Sequence, residues 1–135
     1  MKRNGCIAIA IAAASLTLGF SRDTYPRITD LDAIHYGIRV EIKDTGNEIQ
    51  GETEIRFAFN AGSVKSIPLD FAGLTADAVT ENNRAASFER AGDKLNVRLQ
   101  GDYRRGEQTS IVVKYHGKPS DGLVFGKNQF GDRTV

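Results

Sequence analysis

Hydrophobic and polar positions alternate most regularly between Ile34 and Phe71. Ile34, Tyr36, Ile38, Val40 and Ile42 alternate with Arg39, Glu41 and Lys43. After Asp44-Thr45-Gly46-Asn47, the set Ile49, Thr53, Ile55, Phe57 and Phe59 alternates with Gln50, Glu52, Glu54, Arg56 and Asn60. Past Ala61-Gly62-Ser63, a third run sets Ile67, Leu69 and Phe71 on one side. A period of two sends alternate side chains to opposite faces of a strand. The pattern predicts three consecutive antiparallel strands with one dry face, on which both long apolar sets are expected. Gly46 and Asn47 suit the first connection, because both tolerate the positive φ of tight hairpin turns.

The remaining pattern is also strand-like. Asp23–Asp32 reads as an extended lead-in with room for an edge strand at Arg27–Ile28. Pro68 lies inside the third run and lacks a ladder donor, so that strand must be bulged or lie at an edge. Leu74, Ala76 and Ala78 predict a fourth strand, with a turn at Glu81-Asn82-Asn83-Arg84. Ala86 and Phe88 predict a short fifth, ended by Ala91-Gly92-Asp93. Leu95, Val97 and Leu99 predict a sixth, Gly101–Gly106 a loop, and Ile111, Val113 and Tyr115 a seventh. Leu123-Val124-Phe125 is a last apolar segment before a polar, Gly-rich end. Beyond the N-terminal segment no window keeps a helical period. Short strands with frequent turn signals predict an all-β, antiparallel, sandwich-like domain.

The first twenty residues differ in kind. Lys2 and Arg3 precede the apolar run Cys6–Ala14, and small and apolar residues continue to Ser21. This is the layout of a hydrophobic signal helix, residues 1–21, with cleavage expected after Gly19 or Ser21. The apolar run is shorter than the roughly 20 residues that span a bilayer comfortably. An uncleaved anchor helix is the alternative, and the membrane enters the picture only through this segment. The expected product, residues 22–135, is exported to the periplasm or the extracellular space. Cys6 is the only cysteine and stands at the start of the apolar run rather than after it, which argues against a lipid-modified cysteine. Without a disulfide, the stability of the exported part must come from its core.

Charge adds little. The 18 Lys and Arg nearly balance the 17 Asp and Glu, and they are dispersed. With no basic stripe, nucleic acid is not an expected partner.

Candidate chemistry is sparse. His35 and His116 are the only histidines, and neither belongs to a His-Glu-x-x-His motif. They read as sheet-surface residues. Glu52 and Glu54 share a strand face roughly 7 Å apart by strand rise, a spacing that a carboxylate pair could use. A solvated strand face has the same composition. Ser63, Ser66, Ser110 and Ser120 lack a nucleophile-elbow context, and no phosphate-binding glycine motif occurs. Tyr103-Arg104-Arg105 suits either an anion or an exposed, solubilising loop. The residues thus assemble no catalytic, cofactor-binding or metal site.

Several segments together resemble a known family. Asp32-Ala33-Ile34-His35-Tyr36 opens a strand, and Gly51-Glu52-Thr53-Glu54-Ile55-Arg56-Phe57 follows. Ile67–Phe71, Ile111–Gly117, Asp121–Phe125 and Asn128–Thr134 come next in order. The series resembles the amino-terminal domain of M1 zinc metallopeptidases, the aminopeptidase N-like gluzincins, across about Thr24–Val135. The resemblance implies a saddle-like β-sandwich, here incomplete, beside a catalytic domain in the same longer chain. In the family that domain carries zinc in His-Glu-x-x-His plus a later Glu, and a Gly-x-Met-Glu-Asn segment that holds the amine of a peptide substrate. Both motifs are absent here, so no site residue carries over. The expectation is a fragment, or a broken reading frame, that is inactive alone and leaves an apolar face and open edges uncovered. A free-standing secreted β-sandwich binding module is the alternative. The lack of Trp and the placement of Tyr36, Phe57 and Phe59 in apolar sets argue against its being a sugar binder.

Overall fold

A computed structural model describes residues 28–120 and 122–135. The signal segment lies outside the described residues, as does Arg27. Ile28 is described and is not in a strand.

The described chain forms ten antiparallel strands: β1 Leu31–Ile42, β2 Ile49–Phe59, β3 Ser66–Asp70, β4 Thr75–Glu81, β5 Arg84–Ala85, β6 Phe88–Ala91, β7 Lys94–Arg98, β8 Gln108–Gly117, β9 Gly126–Lys127 and β10 Arg133–Thr134. One sheet has the order β1-β2-β8-β4-β5, a second β3-β7-β6, and β9 and β10 form a separate hairpin. The first two sheets make the expected all-β antiparallel sandwich. The chain changes sheet after β2, β3, β5 and β7. Pro68 occupies an edge, since β3 ends its sheet.

Local chemistry explains the turns. β4 and β5 pair Glu81 with Arg84, leaving Asn82 and Asn83 as a two-residue loop. Both have positive φ, 46° and 65°, as a type I′ hairpin turn requires. β6 and β7 pair Ala91 with Lys94 across Gly92-Asp93, where Gly92 has φ 59°. The expected fifth strand divides here: Ala86 enters the core, whereas Phe88 begins β6 in the other sheet.

Between the sheets, Ile55, Phe57, Phe59, Val79, Ile111 and Val113 meet Ile67, Leu95, Val97 and Leu99. This is the apolar core that a chain without disulfides needs. From β1 the core includes only Leu31.

The expectation of a dry face along β1 is therefore corrected. Tyr36, Ile38, Val40 and Ile42 lie directly opposite Ile55, Thr53, Gly51 and Ile49, so they do point to the core side of the sheet. The three-stranded second layer does not reach them. Ile38 is 67% exposed and Tyr36 58% exposed. Tyr36 therefore stands on an accessible surface, contrary to what its place in an apolar set implied, whereas Phe57 and Phe59 are buried. Ile34 is also exposed, beside a bulge between Ala33 and His35.

The apolar Leu123-Val124-Phe125 segment does not form a strand. It leads into the β9–β10 hairpin, whose turn is organised by Asn128. The Asn128 Oδ1 accepts from the backbone of Phe130 at 2.9 Å and of Asp132 at 2.8 Å. Arg133 ties this hairpin to the β1–β2 connection by donating to the Gly46 carbonyl at 2.9 Å, and its guanidinium covers the Phe125 ring.

Candidate functional site

The outer face of the five-stranded sheet collects most of the candidate residues. In register, Arg39, Glu52, Lys114 and Ala78 form one row, and Glu41, Gln50, His116 and Thr75 the next. Lys114 lies 3.5 Å from Glu52. Glu54 accepts a hydrogen bond from the Ser110 hydroxyl at 2.8 Å and lies 3.8 Å from Arg56. Both glutamates are thus engaged by cross-strand neighbours. The depression over these rows, about 450 Å³, is shallow and lined by Arg39, Glu41, Gln50, Glu52, Asp77 and Lys114. Two cations and three carboxylates are interspersed there, which is the composition of a solvated sheet face.

The two histidines do not meet. His35 is opposite Arg56, whose other neighbour is Ser110; His116 lies six positions further along β8. At strand rise this separates them by roughly 20 Å. His116 Nδ1 is 2.7 Å from Asp77 Oδ1, and both side chains are exposed. Among the described residues no three His, Cys, Asp or Glu side chains stand close enough to hold a metal ion. The described residues therefore do not fit a zinc site. Ser63, Ser66 and Ser120 are exposed and bring no histidine partner.

Tyr103 is where the structure departs from the sequence-based reading. Its ring stacks on Phe59 with centroids 4.4 Å apart and planes 6° apart. Its hydroxyl donates to Glu81 Oε1 at 2.5 Å. The phenol has one proton, so it accepts from the hydroxyl of Thr109 at 2.9 Å and from Asn82 Nδ2 at 3.0 Å. Glu81 Oε2 accepts from the Gln100 backbone N–H at 2.7 Å. Glu81 and Thr109 are buried. Burial, followed by the Glu81 carboxylate, pushes the Tyr103 phenol above its usual range. The group is a polar staple between the β4–β5 turn and the otherwise exposed loop before β8. Arg104 and Arg105 remain exposed. Sequence reading misses the staple because its members are distant in sequence. The one local sign is Gly101, where a Cβ would stand only 3.0–3.1 Å from the Tyr103 ring.

At the open side of the sandwich, Thr53, Ile55, Leu69, Phe71, Val113 and Tyr115 line a cleft of about 280 Å³. Tyr115 lies flat over Gly51, where an added Cβ would stand 2.3–2.5 Å from its ring. Its hydroxyl is 3.3 Å from the Thr53 hydroxyl, and its ring meets Phe71 edge-on. The cleft is apolar, and its two hydroxyls satisfy each other.

The structure thus defines an antiparallel β-sandwich without an assembled catalytic centre among its described residues. No family model matches the chain, and no curated protein matches it. Its fold is similar to that of part of the M1 zinc metallopeptidases. A mutant of a two-domain M1 zinc metallopeptidase bound to L-tryptophan superposes with a TM-score of 0.62 at 21% identity, over 69% of this chain and 22% of that one. The M1 zinc metallopeptidase from Deinococcus radiodurans superposes at 0.61 and 22% identity, over 67% of this chain and 21% of that one. The mutant two-domain enzyme bound to L-arginine gives 0.62 at 21% identity, over 70% and 22%. The aligned part therefore spans about a fifth of those proteins, and the likeness is one of fold.

Proposed function

We propose that the chain is the non-catalytic, amino-terminal β-sandwich portion of an exported M1 zinc aminopeptidase. The observation that carries this reading is the superposition of about two thirds of the chain on a fifth of M1 metallopeptidase structures. The ordered motifs from Asp32 to Thr134 support it independently. On this reading residues 1–21 direct export and are removed. Residues 22–135 form part of the sandwich, and a catalytic domain follows in the same longer chain. That domain holds the zinc and removes amino-terminal residues from peptides in the periplasm or outside the cell. The sandwich flanks the active-site cleft and supplies no ligand. The scattered histidines, the paired glutamates and the absence of His-Glu-x-x-His fit such a supporting role.

The test has two arms. The purified chain, supplied with zinc and a chromogenic aminoacyl anilide, is expected to release no product. Co-expressed with an M1 catalytic domain, it is expected to become more soluble and to raise that domain's activity. Zinc-dependent hydrolysis by the 135-residue chain alone would overturn the proposal, as would a catalytic domain indifferent to its presence.

A further inference from the structure

The sheet edges of this molecule are not alike. β5 is two residues long, β3 carries Pro68, and β6 is four residues long with Arg90 directly opposite Leu95, on the core side. Arg90 there donates to the carbonyls of Leu74 and Phe71. A short strand, a proline and an inward charge are the devices by which sheets avoid pairing with other chains. β1 has none of them between Tyr36 and Ile42. All of its twelve residues but Ile34 pair with β2 on one side, and among the described residues no strand pairs with the other. Its bulge lies at the far end, between Ala33 and His35. The edge is therefore long, regular and bordered by the exposed row Tyr36, Ile38, Val40 and Ile42.

The edge is also complementary to itself. Antiparallel pairing of two identical strands about a two-fold axis places residues with a constant index sum opposite each other. A one-residue slip would put apolar side chains opposite charged ones on each face. Among the remaining registers, centring on Arg39 or Glu41 sets like charges against each other. Centring on Ile38 runs into the bulge, and centring on Ile42 passes the end of β1. Centring on Val40 avoids all of these. It sets Arg39 opposite Glu41 of the second copy, and Glu41 opposite Arg39, on the outer face. On the inner face it sets Ile38 opposite Ile42 and Val40 opposite Val40.

We infer that two copies of this chain associate through β1, antiparallel and centred on Val40, to form a closed pair with one continuous ten-stranded sheet. The contact is isologous, so it closes at two copies. Each strand supplies ladder donors and acceptors to the other, and the two apolar rows partly cover each other. The inference concerns the β1 edge as this chain presents it.

Analytical ultracentrifugation of the full chain is expected to show a concentration-dependent dimer. Glu41→Arg places arginines opposite each other twice and is expected to weaken the dimer roughly tenfold, since each interface holds two such pairs. Adding Arg39→Glu reverses both charges and is expected to restore it. These side chains are exposed, and circular dichroism checks that the variants remain folded. In a Cys6→Ser background, Val40→Cys is expected to crosslink to itself under mild oxidation, because opposed strand residues lie within disulfide reach. Ile38→Cys is expected not to. A monomer at every concentration, open-ended oligomers, failure of the double reversal to restore the dimer, or equal crosslinking at both positions would overturn the inference.

Discussion

At the scale of single residues, the staple around Tyr103 is the most specific arrangement in the fold. Tyr103→Phe keeps the stacking on Phe59 and removes only the hydroxyl, leaving the buried Glu81 carboxylate short of a donor. The expected cost is about 1.5–3 kcal/mol, the range for a hydrogen bond to a charged group, read from urea unfolding. The same group dictates an alkaline limit. Its folded-state pKa is raised, so the neutral phenol is favoured by folding. That contribution is complete below the usual tyrosine value near 10 and is lost as pH rises through the higher folded value. Ultraviolet titration is expected to show Tyr103 ionising late, and Tyr103→Phe to abolish that late step. Gly51→Ala is expected to displace the Tyr115 ring and cost about 1–3 kcal/mol, the usual penalty for overpacking.

At the scale of elements, strand order in sequence and most turns were legible, because alternation and turn chemistry are local. Asn82-Asn83 announces its hairpin through residues that tolerate positive φ. Asn83→Gly, which favours the second position of that turn, is expected to stabilise the fold by up to about 1 kcal/mol in thermal unfolding. Sheet membership was not legible. The change of sheet between Ala85 and Phe88 has the same local pattern as one continuous strand. Nor could alternation reveal coverage: β1 and β2 carry equally clean apolar sets, yet only that of β2 lies under the second sheet. Mutation separates the two. Ile111→Ala, at a fully buried position, is expected to cost about 2–5 kcal/mol. Ile38→Ala is expected to stay within about 0.5 kcal/mol at dilutions where the chain is monomeric. The candidate-site residues were legible as types: Glu52, Glu54 and His35 lie on the polar face that alternation assigns them. The Glu81–Tyr103 staple was not, because its members approach only after β4 and the loop before β8 are brought side by side.

At the scale of the whole molecule, a closed core coexists with an uncovered flank. The core under β2, β4 and β8 is dry, whereas β1 exposes an apolar row and an unblunted edge. The fold matches about a fifth of M1 metallopeptidase structures, and the described residues hold no metal-binding cluster. Chemistry, on the proposed reading, resides in a domain that this chain supports. The most direct test of that claim is the intact mass of the native product in source cells, captured with an antibody against Ile34–Phe71. A product several times heavier than the 14.7 kDa chain, carrying His-Glu-x-x-His downstream, is the predicted result. A product at or below 14.7 kDa would contradict the account, because the sandwich would then have no catalytic domain in its own chain to support.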